Sequence, residues 1–413
     1  MTPTKYSIVH KFFRGETQDK DIATTPESQQ RHRGHMLEDD WMSSTRSSAT
    51  KPKRRRKLDV YVSYTMDCPC PTKIFLFLLS WIATLFSIKN HGPVNMVTTT
   101  NVGLNYGLLG DNLPSPSEVI NLYKSIGITK IRIFDPNTEV LNALRGHHEI
   151  ELTVGVKDQD LAALAASEEA VNGWFATNIE PYLADVNITS ITVGNEVIPG
   201  PIGPQVLPVM QSLTNLVKSK SLPISVSTVV AMSNLGQSYP PSAGMFTPQA
   251  REQLVPVLKF LSQARTPILV NIYPYFAYAS DPVSISIDYA TFNARNAVVE
   301  DGAMQYTNMF DAIFDAFVWA MEKEGVKDVS MVVSETGWPS AGNGNFTTPE
   351  IAAMYNGNFV KHVRSGKGTP KRPNCSIDGF IFATFNENEK PAGTEQHFGL
   401  YEPIDMRPVY KLF

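Results

Sequence analysis

Eight apolar, β-branched runs, separated by stretches with helical spacing, most narrow what this chain can fold into. From Val102 onward the runs end near Tyr106, Asp135, Val156, Asn195, Val230, Tyr273, Ser334 and Phe385. Runs that are apolar on both faces suit parallel strands covered by helices, and eight of them suit a closed (β/α)8 TIM barrel. Helical spacing of apolar residues predicts helices over Pro116–Ile126, Leu161–Trp174, Val206–Val217 and Met304–Met321. The 413 residues also leave room for two or three domains. No internal repeat is evident and no Gly-rich phosphate loop follows a strand, so nucleotide-binding folds fall behind.

Two of the runs end in a carboxylate. Ile191-Thr192-Val193-Gly194 leads into Asn195 and Glu196, and Val329 to Ser334 leads into Glu335, after which Gly337 and Pro339 break the strand. In a TIM barrel the active site lies at the C-terminal ends of the strands. By this count Glu196 follows the fourth strand and Glu335 the seventh. Both glutamates are then expected to face one cleft.

Paired carboxylates in a cleft suit cleavage of a glycosidic bond. One carboxylic acid protonates the leaving oxygen, while the other attacks the anomeric carbon or activates a water there. Neighbours must set the two pKa values apart by burial or hydrogen bonds. Asn195 is a candidate partner for a sugar hydroxyl, and Tyr273 a candidate donor to Glu335. Trp338, Tyr275, Phe276 and Tyr278 are candidate faces on which pyranose rings stack. Taken singly, such a glutamate reads as a solvated loop acid and such an aromatic as core.

Charge sets a further limit. Residues 1–65 carry 13 Lys+Arg against 8 Asp+Glu, a net +5, whereas residues 66–413 carry 23 against 32, a net −9. An acidic folded part argues against nucleic acid as a partner. Cys68, Cys70 and Cys375 supply neither a disulfide framework nor metal-ligand spacing, so neither metal nor cofactor is expected.

Residues 1–65 lack periodicity and contain the run Lys51 to Lys57. That run reads as a nuclear or nucleic-acid signal, or, as favoured here, as part of a disordered basic leader. The uncharged run Ile74–Ile88 is too short to span a bilayer comfortably and matches a signal-peptide core, with Met66 just upstream. Residues 66–100 are therefore expected to be a signal peptide and linker, and residues 101–413 the barrel. The expected location is outside the cell or in its wall. The alternative is a signal anchor through residues 74–88, which would bring the chain to a membrane. Sequons at Asn187, Asn345 and Asn374 fit secretion.

At these residues the sequence resembles the family-17 glycoside hydrolases, the plant endo-β-1,3-glucanases, from about Asn101 to Phe413. The resemblance is carried by Val193-Gly194-Asn195-Glu196-Val197, by Asn271-Ile272-Tyr273-Pro274-Tyr275-Phe276-Ala277-Tyr278, by Ser334-Glu335-Thr336-Gly337-Trp338-Pro339-Ser340, and by Phe385-Asn386-Glu387-Asn388-Glu389-Lys390. Asn105-Tyr106-Gly107 and Phe398-Gly399-Leu400-Tyr401 are also similar to the family, and Tyr106 joins the candidate substrate contacts. The resemblance implies a (β/α)8 enzyme that cleaves β-1,3-glucan with retention, Glu196 being the acid/base and Glu335 the nucleophile; a monomer is expected. Retention implies carboxyl groups about 5–5.5 Å apart. It also implies a polar cluster of Glu387, Lys390 and Glu395 near the site. Three alternatives stay open: a transglycosylase, an enzyme for mixed β-1,3-1,4-glucan, and a glucan-binding protein without turnover.

Overall fold

The computed structural model describes residues 102–413; the expected leader, the apolar run 74–88 and the two N-terminal cysteines lie outside these residues. The eight runs form eight strands: β1 (Val102–Asn105), β2 (Lys130–Ile133), β3 (Glu151–Val156), β4 (Asn187–Asn195), β5 (Ser225–Ala231), β6 (Ile268–Asn271), β7 (Met331–Thr336) and β8 (Gly379–Ile381). Each pairs in parallel with its sequence neighbour, and β8 closes on β1 through Val102 opposite Gly379. Every residue of β1, β6 and β8 is buried, as strands lying between a packed interior and a coat of helices must be.

Several of the helices start where side chains satisfy orphan N–H groups. They are α1 (Pro116–Ile126), α2 (Thr138–Ala143), α3 (Leu161–Leu164), α4 (Glu168–Asn178), α5 (Gly203–Ser219), α6 (Pro248–Ala264), α7 (Pro274–Ser280), α8 (Ile287–Ala290), α9 (Met309–Lys323) and α10 (Pro349–Arg364). Ser167, Thr247, Asn308 and Thr348 each accept the N–H three residues on. Two of these caps correct the sequence expectation. Ser167 starts a new helix, so the predicted helix over 161–174 is two, α3 and α4. Asn308 likewise opens α9, and residues before it form a hairpin, Val299–Asp301 with Met304–Tyr306. The predicted helix from Met304 missed this because cap chemistry was outweighed by apolar spacing.

Strand exits differ as well. β8 ends at Ile381 rather than near Phe385, because the N–H of Ala383 turns to the carbonyl of Phe398. In β4 and β7 the pairing register shifts at the last residues, between Thr192 and Asn195 and between Val333 and Glu335. Such bulges re-aim side chains at strand ends. Gly194 (φ 77°) and Glu196 (φ 60°) are both left-handed, and the N–H of Glu196 is held by Val229 O at 2.9 Å. A non-glycine residue in that region costs about 1–3 kcal/mol, which the surrounding pairing must offset.

Close backbone approach positions the β2 exit. A Cβ at Gly155 would lie 2.3 Å from the carbonyl oxygen of Phe134. Gly155→Ala is therefore expected to destabilise the fold by about 1–3 kcal/mol, as overpacked sites do. Urea denaturation checks this, and an unchanged midpoint would mean that β2 and β3 separate freely there.

Helix α9 is buried along most of its length and carries a carboxylate inside. Asp315 accepts hydrogen bonds from Tyr306 Oη at 3.0 Å, Lys371 N at 2.9 Å and the Thr369 hydroxyl. Burial outweighs these three donors and pushes the Asp315 pKa up from 3.8 to about 6. Between those values the folded chain binds more protons than the unfolded one, so this group's contribution falls as pH rises. The rise of about two units corresponds to about 3 kcal/mol. Relative to the parent, Asp315→Asn should gain up to about that much unfolding free energy between about pH 4 and about pH 7. Denaturation at the two pH values measures it, and a pH-independent difference would contradict the assignment.

Candidate active site

The C-terminal mouth of the barrel carries a connected set of polar side chains. Arg132, at the end of β2, is 1% exposed yet charged. Its Nη1 donates to Glu335 Oε1 at 2.8 Å and to Asn105 Oδ1 at 3.0 Å, and its Nη2 donates to Asn195 Oδ1 at 2.8 Å. The Phe134 ring lies 4.4 Å from the guanidinium carbon. One cation thus links β1, β2, β4 and β7. Asn105 is itself held, its Nδ2 donating to Ser334 O and Ile381 O.

Glu335 is 6% exposed. Its second oxygen accepts from Tyr273 Oη at 2.9 Å, as the sequence anticipated. Tyr273 follows β6, and its hydroxyl pKa lies well above the usual tyrosine value. Burial is the main cause; the charges of Glu335 and Glu196, the hydrogen bond to Glu335, and the charge of Glu395 add to it. The phenol therefore stays a donor.

Glu196 leaves β4 half-buried, and its Oε1 accepts from Asn271 Nδ2 at 2.8 Å. Asn271 ends β6 in register with Glu335, and its Oδ1 accepts from Ser334 Oγ at 2.6 Å. The N–H of Asn195 donates to Asp158 Oδ1 at 2.9 Å. Burial pushes the Asp158 pKa up, against that N–H and the charge of Arg132. Among the described residues, no group of three His, Cys, Asp or Glu side chains is arranged to hold a metal ion.

Several expected substrate contacts turn out to be core. Trp338 is 0% exposed, packs on Tyr275, Tyr278 and Tyr355, and donates its Nε1 hydrogen to Phe346 O. Tyr275 and Tyr278 are buried beside it. Tyr106, 1% exposed, packs edge-on against Tyr123 and Phe385. These rings stabilise the mouth from behind instead of offering faces to sugars. Phe276 keeps a partly exposed face against Tyr273 and Phe398.

Glu387 and Lys390 are also spent within the protein. Glu387 Oε1 accepts from Leu109 N at 3.0 Å, its Oε2 meets Lys390 Nζ at 2.9 Å, and that ammonium sits 4.0 Å over the Phe382 ring. A Cβ at 107 would come within 2.3 Å of the Glu387 carboxyl, so a side chain there would have to push that carboxyl out of the pair. The pair clamps the loop after β1 to the loop after β8. Half-buried Glu395 lies near enough for its charge to act on Tyr273.

Sequence reading passed over Arg132, Asn105, Asn271, Ser334 and Asp158. Arg132 had a usable signal, a cation within the apolar run Lys130-Ile131-Arg132-Ile133-Phe134. Asn271 and Ser334 lie inside the motifs that carry Tyr273 and Glu335, and their residue types alone do not mark them.

Comparison with known proteins agrees with this architecture. Residues 102–413 match the family described as Glycosyl hydrolases family 17. A probable glucan endo-1,3-beta-glucosidase of Arabidopsis thaliana, BG4, is 79% identical over 344 residues, which are 83% of this chain and 99% of the relative. A glucan endo-1,3-beta-glucosidase of Vitis vinifera is 44% identical over 323 residues, 76% of this chain and 92% of its own. Among solved structures, one of two plant beta-glucan endohydrolases with distinct substrate specificities is similar with a TM-score of 0.72 and 42% identity, covering 75% of this chain and 99% of that one. CJP38, a beta-1,3-glucanase and allergen of Cryptomeria japonica pollen, has a TM-score of 0.72 and 43% identity, covering 75% of this chain and 98% of its own. With the matched family running the length of the barrel and both glutamates at its mouth, the chain belongs to glycosyl hydrolase family 17.

Proposed function

We propose that this protein hydrolyses internal β-1,3-glucosidic bonds of β-1,3-glucan with retention of anomeric configuration. The observation that carries the reading is the pairing of Glu335 with Arg132 and Tyr273 across the mouth from Glu196. The names of the relatives supply the substrate class.

In the first step Glu335 attacks the anomeric carbon, and the glycosidic C–O bond breaks. Glu196 gives its proton to the departing oxygen, leaving a glycosyl ester on Glu335 and a carboxylate at Glu196. In the second step Glu196 takes a proton from water, whose oxygen attacks the anomeric carbon and releases Glu335. Arg132 and Tyr273 anchor one oxygen each, which fixes the plane of the attacking carboxylate. Asn195 spends its Oδ1 on Arg132, so its amide N–H groups are what remain for a sugar hydroxyl. Phe276 offers the partly exposed ring on which a pyranose can stack.

Transfer of the glycosyl group to a second glucan uses the same first step and is the alternative. Residues 66–100 act, on this proposal, as a secretion signal, in keeping with the uncharged run Ile74–Ile88. Of the three sequons, Asn345 and Asn374 are exposed, whereas Asn187 lies in β4 and donates its amide to His148 O.

Glu335→Gln should abolish hydrolysis of soluble β-1,3-glucan, a loss of about 10³-fold or more, in a variant that is still folded at the assay temperature though less stable. Full activity in that variant would remove the nucleophile. Glu196→Gln should lose far less on a substrate whose leaving group needs no proton than on glucan itself. Equal losses on both would argue against its acid role. Proton NMR of the first product should show the β-anomer before mutarotation, with products sized as internal fragments. An α-anomer first would refute the double displacement, and longer products with added oligosaccharide would favour transfer.

A further inference from the structure

The bridge from Ser334 through Asn271 to Glu196 does more than fill space. We infer that Asn271, locked by Ser334, is the positioning residue that orients the Glu196 carboxyl and sets the pH range over which it can act. The inference rests on Glu196 being the acid/base.

An asparagine amide can turn either its oxygen or its nitrogen to a neighbour, and its surroundings decide which. Here the Ser334 hydroxyl donates to Asn271 Oδ1 at 2.6 Å, so Nδ2 is the atom turned to Glu196 Oε1 at 2.8 Å. An amide N–H is an obligatory donor. It favours the charged form of the carboxylate it faces. Asn271 is 1% exposed, lies at the end of β6 and is paired in register with Glu335. It therefore acts through Glu196 and not by touching glucan.

The geometry also couples the two carboxylates. Ser334 precedes Glu335 on β7, so the strand that carries one glutamate holds the amide that orients the other. Among the described residues, the charged or titratable groups near this bridge include Glu335 itself, Arg132 from β2, Asp158 beneath Asn195, Tyr273 after β6, and Glu395 from the last loop, whose charge acts on Tyr273.

The test is the pH dependence of kcat/KM on soluble β-1,3-glucan for the parent, Asn271→Ala and Ser334→Ala, each checked for native unfolding. Loss of the donor should move the basic limb up by about one pH unit in Asn271→Ala, with kcat falling about tenfold and KM little changed. Ser334→Ala keeps the amide but frees it to turn, so a smaller shift in the same direction is expected. It also serves if Asn271→Ala fails to fold. A defect that was only structural would lower the curve without moving its limb. In parallel, Glu196→Ala is assayed on an aryl β-1,3-glucoside with an activated leaving group, with and without azide. Azide rescue with an unmoved limb in the folded bridge variants overturns the inference alone. Absence of rescue, with activity retained, overturns the role of Glu196 and the inference with it.

Discussion

The buried guanidinium of Arg132 is the interaction around which the barrel mouth is arranged. Taking such a charge out of water costs several kcal/mol unless its hydrogens are matched. Glu335, Asn105 and Asn195 accept from it, and the Phe134 ring covers one face. These partners come from β1, β4, β7 and the exit of β2, so they can be supplied together only when the barrel is closed. Once buried, the charge is tolerable only with these partners in place, which ties the assembly of the site to closure of the sheet.

Around that centre further polar pairs cross between strands, while the Nε of Arg132 itself is buried without a hydrogen-bond partner. Asn105 ties β1 to the carbonyls of β7 and β8, Tyr273 ties the exit of β6 to Glu335, and Asn271 ties β6 to the exit of β4. Preorganisation of this kind keeps two carboxylates in fixed orientation without relying on loop order. The left-handed backbone at Glu196 is part of the same design. The bulge that strains it turns the carboxyl into the cleft, while the N–H remains bonded to Val229.

The buried aromatic residues around the mouth divide into two groups by position. Trp338, Tyr275, Tyr278 and Tyr355 form a dry wedge under the loop after β7, and Phe382, Phe398 and Tyr273 form another under the loop after β8. Their contribution is rigidity. Glu387 and Lys390 extend this support to the loops themselves, a buried ion pair capped by the Phe382 ring. Groups with polar or flat side chains near a cleft are easily mistaken for substrate contacts when only their types and order are known.

The amino-acid sequence alone determined the eight strands, their parallel order and the placement of Glu196 and Glu335 at two strand exits, because apolar runs and the breaks that end them are local. It also carried the link from Tyr273 to Glu335, since both stood at strand ends in the proper order. It did not reveal that helix 161–174 is two helices or that residues 304–306 are a strand, where a single capping side chain decides against the apolar pattern. Nor did it reveal Arg132 as the hub, Asn271 as the partner of Glu196, or Trp338 and Tyr106 as core. Those were decided by tertiary structure alone, because burial and hydrogen bonding at the mouth depend on side chains brought together from strands as much as 276 residues apart.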